Sequence, residues 1–131
     1  MKINSIKNIC LNFLTLLIIF IPLKPMDAIS PEWVGVPKSK YGEQLWDKNN
    51  IQKNSDGSIR VLSKFIPKST SKITKDILYT MDIKCSEGTF RDVVVGANKF
   101  NEFQNKDLKW KHPNGDKLIL GVIDQVCAFS H

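Results

Sequence analysis

Between residues 33 and 97 hydrophobic and polar positions alternate with a period of two, and the period lengthens only near the end of the chain. Trp33-Val34-Gly35-Val36 predicts a short first strand, stopped by Pro37. Gln44-Leu45-Trp46-Asp47 predicts a second, ending in a Lys48-Asn49-Asn50 turn. Asn54-Ser55-Asp56-Gly57 predicts a tight turn, because Asp-Gly supplies the positive φ that a hairpin needs. Residues 58–66 read as the next strand, terminated by Pro67, and a polar Ser/Thr/Lys loop fills 68–75. In residues 76–85, Ile77, Tyr79, Met81 and Ile83 fall on one side. Asp76, Thr80, Asp82 and Lys84 fall on the other, with Leu78 the exception. Glu87-Gly88 turns the chain into 89–95, the expected partner of that strand. Residues 98–111 are polar, with Phe100, Phe103, Leu108 and Trp110 interspersed, and leave room for one further short strand.

From Lys117 onward, Ile119, Val122, Ile123 and Val126 stand at i, i+3, i+4 and i+7, one face of a helix. The preceding turn offers Asn114 or Asp116 as its cap. Gly121 weakens such a helix by about 1 kcal/mol relative to alanine. Strands followed by a terminal helix predict an α+β domain: a small antiparallel sheet with a packed C-terminal helix.

The first 28 residues are of another kind. Lys2 and Lys7 precede an apolar stretch over 9–23, whose uninterrupted part is shorter than the ~20 residues that span a bilayer. A basic start, a short apolar core and a small residue after Pro22 and Pro25 predict a secretory signal peptide, residues 1–28. Cleavage is placed between Ala28 and Ile29, with Met26 larger than usual at the −3 position. The alternative is an uncleaved segment that tethers the chain, as an accessory protein, to the bacterial envelope. Cys10 precedes the apolar core, which does not support a lipid anchor. The domain at 29–131 is therefore expected to be periplasmic or secreted, with the membrane a partner only if the leader is retained.

Export changes the reading of the cysteines. Cys85 and Cys127 remain, an even count in an oxidising compartment, and predict one disulfide. It would close a loop of about 43 residues, for roughly 4 kcal/mol in the chain-entropy treatment. A Cys2His2 metal site would need both His112 and the terminal His131, and Cys-x-x-Cys spacing is absent.

Composition and charge narrow the function. An apolar fraction of 42% against 24% charged excludes a disordered chain. Lys2, Lys7 and Lys24, offset by Asp27, leave with the leader, so the formal charge falls from +6 to +4. That is below the density of a dedicated nucleic-acid binder. No catalytic constellation, metal set or cofactor loop emerges: His112 sits in a Pro-containing turn, and the glycines are scattered singly. A non-enzymatic binding domain is expected. Trp33, Trp46 and Trp110 are its candidate contact residues, because tryptophan is favoured at interface hot spots. Each of them also suits a core. Lys38, Lys40, Lys64, Lys68, Lys72 and Lys75 concentrate in the first half of the domain and suit an acidic partner as well as a solvated face.

The order of these features resembles the surface-adhesin protein E-like family of bacterial exported proteins. Trp33-Val34 comes first, then Trp46-Asp47 and Ile51, then Asp56-Gly57-Ser58-Ile59-Arg60-Val61. Tyr79, Asp82 and Cys85 follow, then Trp110, and the terminal Val126-Cys127. The resemblance implies an antiparallel sheet with a packed terminal helix and a disulfide between the matched cysteines. It also implies host matrix or serum proteins as partners, and dimerisation with a second copy of the chain. The lipoprotein cysteine that would hold such an adhesin on an outer membrane is missing from the cleavage region.

Overall fold

A computed structural model describes residues 29–96, 103–104 and 107–131. The leader, Ala28 included, lies outside the described residues, as do residues 97–102 and 105–106. The chain forms β1 (Trp33–Gly35), β2 (Gly42–Lys53), β3 (Ile59–Pro67), β4 (Ile77–Lys84), β5 (Thr89–Gly96), the two-residue β6 (Phe103–Gln104) and α1 (Lys117–Phe129). Every strand lies beside its sequence neighbour in one antiparallel sheet of order β1-β2-β3-β4-β5-β6. The α+β class, the hairpin turn at Asp56-Gly57, where Gly57 has φ 82°, and the terminal helix agree with the sequence pattern.

Two irregularities decide which side chains reach which face. The expected turn at residues 48–50 is instead a bulge inside β2. Between the pairs Trp46–Ser63 and Ile51–Val61, β2 advances five residues while β3 advances two. Asp47 holds this bulge. Its Oδ1 accepts from the Asn49 amide at 3.0 Å and from the Glu32 amide at 2.9 Å. The polar run at 48–50 thus turns locally without ending the strand. The second irregularity lies between Thr80 and Met81. Thr80 pairs with Val94 but Met81 with Asp92, so Val93 is extra. Asp92 alternates regularly with Phe90 and shares the face that α1 covers, while the extra Val93 turns Val94 to the opposite face.

On the covered face Trp46, Ile59, Val61, Met81 and Ile83 meet Leu118, Val122, Ile123 and Val126 of α1. The helix starts where Asp116 Oδ1 accepts from the Leu118 and Ile119 amides at 3.0 and 3.3 Å, the cap role expected of Asn114 or Asp116. Gly121 has a packing reason: a Cβ there would lie 2.8 Å from Val36 Cβ. Gln125 ties the helix to two strands, donating from Nε2 to Gly35 O at 3.3 Å and accepting from Trp46 Nε1 at 2.7 Å. Cys85, just past β4, is bonded to Cys127 in the last turns of α1, with Cα atoms 5.6 Å apart. The predicted disulfide thus staples the helix to the end of a central strand.

Candidate binding surface

Among the described residues the other face of the sheet carries no helix. Leu45, Leu62, Leu78 and Val94 lie half-buried across its middle. The register puts Arg60, Lys64, Asp82, Lys84 and Arg91 on the same side: Arg60 and Lys64 flank Leu62 along β3, Asp82 pairs with both Arg60 and Arg91, and Lys84 lies two residues beyond Asp82. The alternation that buries Met81 and Ile83 under the helix turns Asp82 outward between them. It is nevertheless 0% exposed.

What buries Asp82 is its partners. Arg60 donates from Nε to Oδ1 at 2.7 Å and from Nη2 to Oδ2 at 3.0 Å, a bidentate fork. Arg91 donates from Nε and Nη2 to Oδ2 at 3.1 and 2.9 Å, and Asn54 Nδ2 adds a bond to Oδ1 at 3.1 Å. Burial pushes the Asp82 carboxyl up, but the bonds from Arg60, Arg91 and Asn54 together outweigh it and hold the group below the ordinary aspartate range. Asn54 is itself fixed by the β2–β3 turn, donating to Ser58 Oγ at 2.9 Å. Beside the cluster is a shallow polar groove of about 440 Å³, between the β2–β3 turn and the two arginines.

Two of the three candidate tryptophans flank this face. Trp33 pairs with Asp47, which places it on the open side, and Lys64 Nζ lies 4.3 Å from its ring centroid. Trp110 precedes Lys111, whose backbone bridges to Phe90 beside β5. Its ring has Lys84 Nζ on it at 4.5 Å and the Arg91 guanidinium carbon, also at 4.5 Å. Both rings are half-buried. Five strand spacings, about 24 Å at ~4.8 Å each, separate them across the sheet. Trp46 is not on this surface. Its neighbour Asp47 takes the outward position, so Trp46 turns inward, is 3% exposed and packs with its ring 5.7 Å from that of Phe129.

The arrangement presents aromatic rings and guanidinium donors together. Each arginine gives Nε and Nη2 to Asp82, so that the Nη1 groups face elsewhere, and their side chains are 38% and 24% exposed. Asp82 fixes the two guanidinium planes, and the cations on the tryptophans are held by the rings, Lys84 also by Glu87 Oε1 at 3.6 Å. The Asp82 cluster was not singled out from sequence, where Asp82 is one polar position of an alternating strand and one residue of the family resemblance. The available signal was its place in β4, flanked by apolar residues, with an arginine in each neighbouring strand. His112 stands exposed in the turn before α1. Among the described residues no group of three or more His, Cys, Asp or Glu is placed to hold a metal ion, and no helix is long and apolar enough to cross a membrane.

The fold and this surface together describe a small disulfide-stapled α+β domain with one sheet face packed by its helix and the other open among the described residues. The sequence profile of the surface adhesin-E family matches residues 34–131, and the chain belongs to that family. No curated relative and no solved structure matches it.

Proposed function

We propose that this chain is an exported, non-enzymatic adhesin-like domain that docks its open sheet face onto an acidic protein surface outside the cell. The observation that carries this reading is the shared placement of Trp33 and Trp110 on that face, with Lys64, Lys84 and Arg91 resting on their rings. Family membership supports the adhesin role, and the disulfide suits an oxidising compartment. Asp82 neutralises only one of its two arginines, and Lys64 adds a further cation on Trp33. Glu87 offsets Lys84 and Asp56 borders the groove, so it is the cations on the Trp33 side that favour an acidic partner. Two copies meeting through the same face would set these cations against each other, so a homodimer would use another surface.

The test is binding of the full exported chain to immobilised host matrix and serum proteins over a salt series. Affinity should fall steeply with salt, and the Lys64→Glu/Lys84→Glu variant should lose at least tenfold. Binding that is indifferent to both would overturn the reading. Export is checked by intact mass: a chain beginning at Ile29, with both remaining thiols blocked until reduction, is the expected product.

A further inference from the structure

The helix does not cover the whole of its own face of the sheet. Beyond its first turn is a half-open cleft of about 890 Å³, within the range of small-molecule sites. Phe65 of β3, Tyr79 and Met81 of β4 and Phe90 of β5 form its floor, and Leu118 and Ile119 of α1 form one wall. Asp92, paired with Met81 and two residues after Phe90, lies in the same floor, and Gln44 stands beside it. Gln44 is 3% exposed and donates from Nε2 to Ser63 Oγ at 2.6 Å. Its side-chain oxygen makes no hydrogen bond among the described residues.

The charges at this cleft differ in how far each is committed. Asp116 directs its carboxylate to the amides of Leu118 and Ile119. Lys38 is paired with Glu43. Burial pushes Asp92 up from its ordinary value, with Lys111 pulling it part of the way back. Lys40 and Lys117 at the mouth are exposed; Lys40 Nζ lies 5.0 Å from the Tyr41 ring centroid, and among the described residues neither lysine forms an ion pair. A mainly aromatic floor that also holds Asp92, below the ammonium groups of Lys40 and Lys117, is the pattern for a ligand with an apolar body and an anionic end.

We infer that this cleft binds one molecule of a long-chain carboxylate, with the chain on Phe65, Tyr79 and Phe90 and the carboxylate between Lys40 and Lys117. Gln44 offers an acceptor to any hydroxyl on the chain. The site is separate from the open face, so the two readings fail independently. A free fatty acid and the acyl end of a membrane lipid share this chemistry, and only the first fits a cleft of this size without a bilayer.

The experiment is calorimetric titration of the full exported chain with dodecanoate below its micelle concentration. Dodecyltrimethylammonium and anionic phospholipid vesicles form the other arms. One dodecanoate per chain is expected, with at least tenfold weaker binding of the quaternary ammonium. Lys40→Glu/Lys117→Glu should weaken dodecanoate at least tenfold while the thermal midpoint holds. Ile119→Trp, which narrows the cleft from the helix side, should weaken both amphiphiles. Trp33→Ala/Trp110→Ala should leave dodecanoate binding within twofold. No uptake of dodecanoate, equal binding of both head groups, many molecules per chain, or binding to vesicles alone would each overturn the inference.

Discussion

The two faces of this one sheet are closed in different ways. Under α1 the strands present Val61, Met81 and Ile83, each fully buried, and the helix answers with Val122 and Val126. On the open side the same strands present Arg60, Asp82 and Arg91, closed by a charged network and two stacked tryptophans. Apolar burial is non-directional and gains with area, so the covered face supplies the bulk of the folding free energy. The charged network adds little net stability, because desolvation offsets most of its attraction. What it supplies is orientation of two guanidinium groups. Stability and recognition thus divide between the two faces.

Breaking the covered face should have the largest effect. Replacing both cysteines, Cys85→Ser/Cys127→Ser, frees the loop and should cost about 4 kcal/mol in chemical denaturation. A domain of this size has a typical margin of about 5–15 kcal/mol, so a large part of it rests on this bond.

On the open face, Asp82→Asn should cost about 2 kcal/mol at neutral pH. That is less than the ~3–5 kcal/mol for a fully buried pair, since both arginines are partly exposed and regain water. The pH dependence gives a sharper reading. The folded-state pKa of Asp82 lies below its unfolded value, so its contribution is fully present above the ordinary aspartate range. It is lost as pH falls through the folded value. Asp92, raised by burial, works in the opposite sense and over a higher window, since its cost disappears as it protonates. Acid titrations of the Asp82→Asn variant should therefore lack the steepest part of the wild-type loss below about pH 4.

A smaller effect is expected at Gly121. Alanine gains about 1 kcal/mol in helix propensity but brings Cβ to 2.8 Å from Val36 Cβ. Displacing the helix from Val36 costs about 1–3 kcal/mol, so Gly121→Ala should lower stability by about 1 kcal/mol. An increase would show that the helix slides freely on the sheet.

The sheet, the helix and the disulfide were legible from the chain because each leaves a local pattern: alternation in β4, a 3.6-residue period in α1, an even cysteine count. The bulge at Asp47 was not, since Lys48-Asn49-Asn50 has the composition of a turn and only pairing with β3 keeps the strand going. Gly121 read as a weak point because propensity is local, whereas its reason is Val36, far away in sequence. The tryptophans illustrate the same limit. Composition marks all three equally, and only the register of β2 against β1 sends Trp46 inward and Trp33 outward. The Asp82 cluster joins residues from the β2–β3 turn, β3, β4 and β5, and no single segment shows it.

The most direct test of the division between faces is a paired measurement on Trp33→Ala/Trp110→Ala, with Leu120→Ala on the exposed side of α1 as control. Thermal unfolding and binding to immobilised host matrix and serum proteins are read on the same samples. The account predicts that the tryptophan variant keeps its fold, losing under about 2 kcal/mol, while its binding falls at least tenfold and the control binds as wild type. Unchanged binding by the tryptophan variant, or an equal loss in the control, would contradict it.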